Sequence, residues 1–206
     1  GGTLLIHLGM SGNLRIVTAD QALQKHDHVD WVLSNQKILR YHDPRRFGAV
    51  LWTAQPPERH TLLATLGPEP LTDAFNGDYL YQRSRTQHTA IKTWIMNSHQ
   101  VVGVGNIYAN EALFLAGIQP QHAANSLSLA ACHRLADSIK TVLSQAIQQG
   151  GTTLRDFVNG EGKPGYFQQS LQVYGRAQQP CSACASPIQQ VQLNQRATYF
   201  CPQCQS

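Results

Sequence analysis

Apolar residues gather in short runs along the start of the chain, at 3–8, 13–17, 29–33, 37–41 and 49–53, separated by Gly, Ser, Asn, Asp or Pro. Several runs alternate apolar with polar, the period-two signature of half-buried strands. The gaps are too short for crossover helices, so antiparallel pairing is expected. Ser34-Asn35-Gln36 reads as a hairpin turn, and Gln55-Pro56-Pro57-Glu58 ends the pattern. The expected product is part of an antiparallel β-sandwich whose remaining strands precede Gly1.

From about residue 60 the pattern turns helical. Candidate helices are 59–66, stopped by Gly67-Pro68-Glu69-Pro70, then 78–85, 89–97 and 107–116, the last ended by Gly117. Ser128 can cap a longer helix whose stripe is Leu135, Ile139, Val142, Leu143, Ala146 and Ile147, ended by Gly150-Gly151. Cys132, one turn before Leu135, fits a small buried residue better than a ligand or nucleophile. The Asn159-Gly160-Glu161-Gly162-Lys163-Pro164-Gly165 stretch offers nothing to a core and reads as a surface loop or a flap over a ligand. The fold class expected is α+β in two domains: a partial β-sandwich over 1–58, then a helical domain over 59–175 that ends in a small hairpin module over 176–206.

Composition changes this picture little. With 42% hydrophobic residues, three Trp, seven Tyr and six Phe among 206, the chain can fill a core, and its net charge of +4 permits nucleic-acid binding without showing it. No run approaches eighteen apolar residues, which speaks against a membrane span, and the start lacks a secretion signal. Position 1 is not Met and the first residues already read as a strand, so the chain is expected to begin inside a longer one.

Cysteine placement is more informative, since four of five Cys fall near the end: Cys181-Ser182-Ala183-Cys184, sixteen residues, then Cys201-Pro202-Gln203-Cys204. Two such tight turns, brought together by a hairpin with strands near 191–193 and 197–200, suit one tetrahedral Zn²⁺ with four thiolates. Two disulfides or an iron-sulfur centre are the alternatives; neither explains paired turns in a chain with one other Cys. Four sulfurs leave the metal no open position, so it is structural. Gln195-Arg196 lies near the hairpin turn, where Arg196 is either a solvated surface charge or a cation presented to a phosphate.

In order along the chain stand His7-Leu8-Gly9-Met10-Ser11-Gly12, Lys25-His26-Asp27-His28-Val29-Asp30, Asp43-Pro44-Arg45-Arg46-Phe47-Gly48, Leu66-Gly67-Pro68-Glu69-Pro70-Leu71, Val102-Gly103-Val104-Gly105-Asn106-Ile107-Tyr108-Ala109 and the terminal ribbon with Gln195-Arg196-Ala197-Thr198. This set closely resembles the bacterial formamidopyrimidine-DNA glycosylase family, enzymes that excise 8-oxoguanine and ring-opened purines and then open the strand. The resemblance implies a base-excision repair glycosylase with β,δ-elimination lyase activity, working as a monomer on damaged duplex DNA in the bacterial cytoplasm, bound to the nucleoid, with one structural Zn²⁺.

The resemblance also implies roles residue by residue. Met10, Arg45 and Phe47 would enter the duplex where the damaged nucleotide is flipped out, filling the gap and meeting the orphaned base. His26, Arg45, Gln87, Lys92 and Asn106 would contact DNA, and the Gly103-Val104-Gly105 turn before Asn106 suits a phosphate on chain grounds as well. Gln87 stands where the family commonly has Lys or Arg, which predicts weaker salt dependence. Residues 150–174 would surround the flipped base, with Lys163-Pro164-Gly165-Tyr166-Phe167 near the pocket. Arg196 would hold a phosphate beside the lesion and serve the elimination step. The family's nucleophilic Pro, its adjacent Glu and a later Lys would lie before Gly1. The chain is therefore expected to lack the amino-terminal catalytic segment and to be inactive in base excision, which leaves a non-catalytic damaged-DNA-binding fragment as the alternative. A non-DNA zinc ribbon and the branch acting on oxidised pyrimidines are weaker readings.

Overall fold

The computed structural model describes residues 1–152 and 166–206. Chain contacts group them into two compact units, Gly1–Ala64 with Ala146–Gln169 and Thr65–Gln145 with Ser170–Ser206. Each unit is discontinuous in sequence: a late segment belongs with the strands, and the terminal hairpin belongs with the helices. The class is the α+β expected, with antiparallel sheets first, then helices, then a four-cysteine module.

In the first unit, β1 (Thr3–His7), β2 (Asn13–Val17), β3 (Asp27–Val32), β4 (Ile38–His42) and β5 (Ala49–Thr53) form two antiparallel sheets, β1–β5 and β2–β4–β3. The β1–β5 register runs from Thr3 opposite Thr53 to His7 opposite Ala49, so the turns that leave these strands emerge together at the His7 end. The β3–β4 turn closes with Leu33 N–H donating to the Lys37 carbonyl at 2.8 Å, and Gln36 takes φ 63°. A polar network braces the three-stranded sheet. Arg40 forms a two-pronged bond to Asp30 at 2.9 and 2.8 Å, while Arg15 and His42 both donate to one oxygen of Asp27, at 2.7 and 2.8 Å. Burial would raise the Asp27 carboxyl, but the Gln24 amide, His42 and Arg15 hold it below its ordinary value.

The second unit holds α1 (Gly77–Ser84), α2 (Ile91–Ile95), α3 (Asn106–Ala116), most of α4 (Leu129–Gln148), and the hairpin of β6 (Gln189–Leu193) and β7 (Arg196–Phe200). Local chemistry sets these boundaries. The Asn76 side chain accepts from Tyr79 N–H to start α1, the Ser128 hydroxyl accepts from Ala131 N–H to start α4, and Gly117 ends α3 at φ 68°. Leu135, Ile139, Val142, Leu143 and Ala146 are buried as the stripe predicts, with Cys132 among them, while Ile147 is exposed.

Two helices differ from expectation. Residues 59–66 form no α-helix; a single 3₁₀ turn, Pro57–Arg59, is followed by Leu63 and Ala64 N–H donating to the His60 carbonyl. Leu62 and Leu66 are exposed there, so no apolar stripe exists to be buried. α2 is shorter than 89–97 because Ala90 is extended and bridges Ala123.

Candidate nucleic-acid interface and metal centre

Cys181, Cys184, Cys201 and Cys204 converge at the base of the β6–β7 hairpin, their four sulfurs all within 4.8 Å of one another. Cys181 to Cys204 is 3.9 Å and Cys184 to Cys201 is 3.4 Å. Four Zn–S bonds of about 2.3 Å in a tetrahedron place sulfurs roughly 3.8 Å apart, so the cluster fits one Zn²⁺. A dication bound there would favour all four thiolates.

The hairpin turns through Asn194 and Gln195, both at positive φ (45° and 60°), the geometry a two-residue turn demands. Arg196, opposite Leu193 in the register, is thereby carried on the first position of β7, exposed, and among the described residues it has no carboxylate partner. α3 supports this hairpin from behind. Asn106 donates to the Ala197 carbonyl at 3.2 Å, and Asn110 accepts from Tyr199 N–H at 2.7 Å. Asn106 opens α3 as expected, and its side-chain oxygen is buried with no partner among the described residues.

Lys92 lies on α2 with its ammonium turned to β7. It is 1% exposed, and its Nζ donates to the Ala197 carbonyl at 3.0 Å and the Thr198 hydroxyl at 2.7 Å. Burial, and then the charge of Arg196, lower its pKa to about 8. A shallow cleft beside it is lined by Lys92, Met96, Asn97, Asn194 and Arg196 among others, with no carboxylate in the lining. Gln87 lies between α1 and α2, its main chain tied to Ser84 and Asn125 and its side-chain amide to Thr86.

In the first unit the β1–β2 and β4–β5 turns meet through glycines. Gly9 has φ 64°, and a Cβ there would lie 2.7 Å from the Phe47 carbonyl carbon; a Cβ on Gly48 would collide with the Tyr41 hydroxyl. Asp43 fixes the second turn, accepting from Gly48 N–H at 2.9 Å and from the Tyr41 hydroxyl at 3.0 Å. Burial opposes its charge, but these donors and the Arg45 and Arg46 amides keep its carboxyl below the ordinary value; burial and Asp43 push Tyr41 up to about 12. On this base Met10 and Phe47 are 69% and 57% exposed, with the Arg45 guanidinium 4.9 Å above the Phe47 ring. His26, at φ 77°, lies edge-on to His28 and His42. Partial burial, then Lys25, His28, His42 and Arg46, lower its pKa.

Lys163, Pro164 and Gly165 fall outside the described residues. Of the neighbouring pair, Tyr166 is exposed and Phe167 buried. Sequence reasoning missed Glu111, whose buried carboxylate accepts three consecutive amides, from Gln172 at 2.7 Å, Val173 at 3.0 Å and Tyr174 at 2.8 Å. A lone acid between Ala109 and Leu113 on an apolar helix is the signal that would have found it.

A four-cysteine hairpin that fits one Zn²⁺ and presents an Arg defines the second unit as that of a zinc-ribbon protein. The family follows from comparison with known proteins. Family models match in chain order: the formamidopyrimidine-DNA glycosylase N-terminal domain over residues 1–50, the formamidopyrimidine-DNA glycosylase H2TH domain over 66–158, and the "zinc finger found in FPG and IleRS" over 178–206. The formamidopyrimidine-DNA glycosylase of Teredinibacter turnerae is 61% identical over 206 residues, 100% of this chain and 76% of that protein, and that of Hydrogenovibrio crunogenus is 61% identical over 204 residues, 99% and 73%. The crystal structure of the MutM (Fpg) protein from Thermus thermophilus superposes with TM-score 0.88 at 37% identity, covering 100% of this chain and 76% of that one. A Lactococcus lactis Fpg complex with abasic-site DNA superposes with TM-score 0.88 at 36% identity, covering 98% and 74%. This chain belongs to the formamidopyrimidine-DNA glycosylase family.

These matches correct one expectation. The chain does not lack the family's amino-terminal domain: its model matches residues 1–50, and a 61% identical relative aligns along the whole chain. The inference of a chain inactive in base excision, drawn from what precedes Gly1, falls with it.

Proposed function

We propose that this protein is a base-excision repair DNA glycosylase that removes oxidised purines, 8-oxoguanine and formamidopyrimidines, from duplex DNA and cleaves the resulting abasic site by β,δ-elimination, acting on nucleoid DNA in the bacterial cytoplasm. The observation that carries the reading is the mounting of Met10, Arg45 and Phe47 on two backbone-locked turns within a chain that matches the family from end to end. Extruding a nucleotide leaves a gap in the stack; Met10 and Phe47 offer apolar surface to fill it, and Arg45 offers donors to the unpaired opposite base. Phe47 shields one face of that guanidinium, which favours a flat, inserted pose.

His26, Gln87 and Asn106 hold the backbone by hydrogen bonds in this reading. His26 favours its neutral form, so it serves as a donor more than as a charge. Arg196 supplies the cation. Held beside a phosphate that becomes a leaving group, it stabilises charge that grows during elimination. The Zn²⁺, when bound, supplies no chemistry at the lesion; it joins the two cysteine turns and so fixes the root of the hairpin.

Borohydride trapping on a duplex with 8-oxoguanine opposite cytosine, run beside an undamaged duplex, tests the function. A covalent adduct and strand cleavage specific to the lesion are expected. Tight binding with neither would overturn it.

A further inference from the structure

We infer that Lys92 is a positioning residue for Arg196 and not itself a phosphate ligand. This rests on the reading of Arg196 as the phosphate-holding cation of the hairpin. The Lys92 ammonium is 1% exposed and already directs two of its donors into β7, to the Ala197 carbonyl at 3.0 Å and to the Thr198 hydroxyl at 2.7 Å. Those two residues immediately follow Arg196. The Ala197 carbonyl also receives Asn106, so one main-chain oxygen, one residue from the guanidinium's own backbone, is gripped from α2 and from α3. Thr198 is wholly buried and cannot meet a ligand. Its hydroxyl reaches the Arg196 carbonyl at 3.3 Å, which carries the grip back to the residue that matters. α2 itself buries Ile91, Trp94 and Ile95 together with Lys92, so the ammonium sits on a packed support.

A direct phosphate contact and a positioning role make opposite predictions for Thr198. Removing the hydroxyl leaves the Lys92 charge in place but takes away one of its two holds on β7 and the link from there to the Arg196 carbonyl. The experiment measures binding to a duplex with a tetrahydrofuran abasic analogue as a function of salt, for Thr198→Val, Lys92→Met, Arg196→Ala and each pair with Arg196→Ala, with zinc content confirming an intact hairpin. Positioning predicts that Thr198→Val weakens binding about tenfold, that Lys92→Met weakens it at least as much, and that neither adds materially to Arg196→Ala. A silent Thr198→Val, with Lys92→Met lowering the salt slope by about 0.9 and adding fully to Arg196→Ala, overturns the inference in favour of a phosphate ligand. If Arg196→Ala alone is silent, the reading of Arg196 fails and the inference fails with it; that outcome is distinct, because it is seen without touching Lys92 or Thr198.

Discussion

The Glu111 carboxylate offers the sharpest test of how the helical unit holds its connections. One oxygen takes Val173 N–H at 3.0 Å and Tyr174 N–H at 2.8 Å; the other takes Gln172 N–H at 2.7 Å, all away from solvent. Glu111→Gln can keep the first two bonds through its remaining oxygen, but its NH₂ then faces the Gln172 N–H, donor against donor. A hydrogen bond to a charged acceptor is lost and a buried donor is orphaned, at a cost of about 2 kcal/mol. Because two units and a bound metal blur any single unfolding free energy, the effect is best read locally. Amide exchange at Gln172 should quicken roughly thirtyfold in Glu111→Gln, the factor that corresponds to about 2 kcal/mol, with Val173 and Tyr174 following less. In Glu111→Ala all three amides should open together, and the edge-on contact of Tyr174 with Tyr199, now 5.1 Å between centroids, should loosen with them. Exchange at Gln172 within about twofold of the parent in Glu111→Gln would refute the idea that the carboxylate ties this segment to α3.

Other predictions concern the candidate interface. Met10→Ala and Phe47→Ala should leave stability within about 0.5 kcal/mol of the parent, since both side chains are largely exposed, yet weaken binding to the tetrahydrofuran duplex at least roughly tenfold; a matching loss of thermal midpoint would recast them as core residues. Gln87→Lys should steepen the log-log salt dependence of DNA binding by about 0.9, and an unchanged slope would remove position 87 from the interface. The lowered pKa of His26 has a defined sign: its neutral form is favoured in the folded protein, so its stability term is intact above about pH 6.5 and erodes as pH falls from there toward the folded value. His26→Gln should therefore lose less stability than the parent between pH 7.5 and 5.5; equal losses would show that the histidine is indifferent to folding.

Much of this was legible in the chain. The five strands announce themselves as short apolar runs between turn residues, with β3 alternating wet and dry, and the zinc hairpin because four sulfurs in two tight turns have few other uses. Where propensity and packing disagreed, packing prevailed: residues 59–66 look helical but have no stripe to bury, and Ala90 is drawn into a bridge with Ala123. The resemblance places Lys92 at a phosphate, yet in the five-residue α2 it is buried together with Ile91, Trp94 and Ile95. Arg196 and the cysteines are fixed by local sequence, whereas the bond from Lys92 to Thr198 spans 106 positions, and no spacing rule reaches so far.

Much of the grip on the hairpin falls on main chain: the carbonyl of Ala197 accepts from Lys92 and Asn106, and the amide of Tyr199 donates to Asn110. Such a seat is built on backbone atoms and not on the chemistry of the side chain at 197. It is not indifferent to length. Between Leu193 and Arg196 the turn holds two residues, and inserting or deleting one would shift the strand by a position, so that the guanidinium would exchange faces with its neighbour. Anyone grafting this finger onto another scaffold must keep its count.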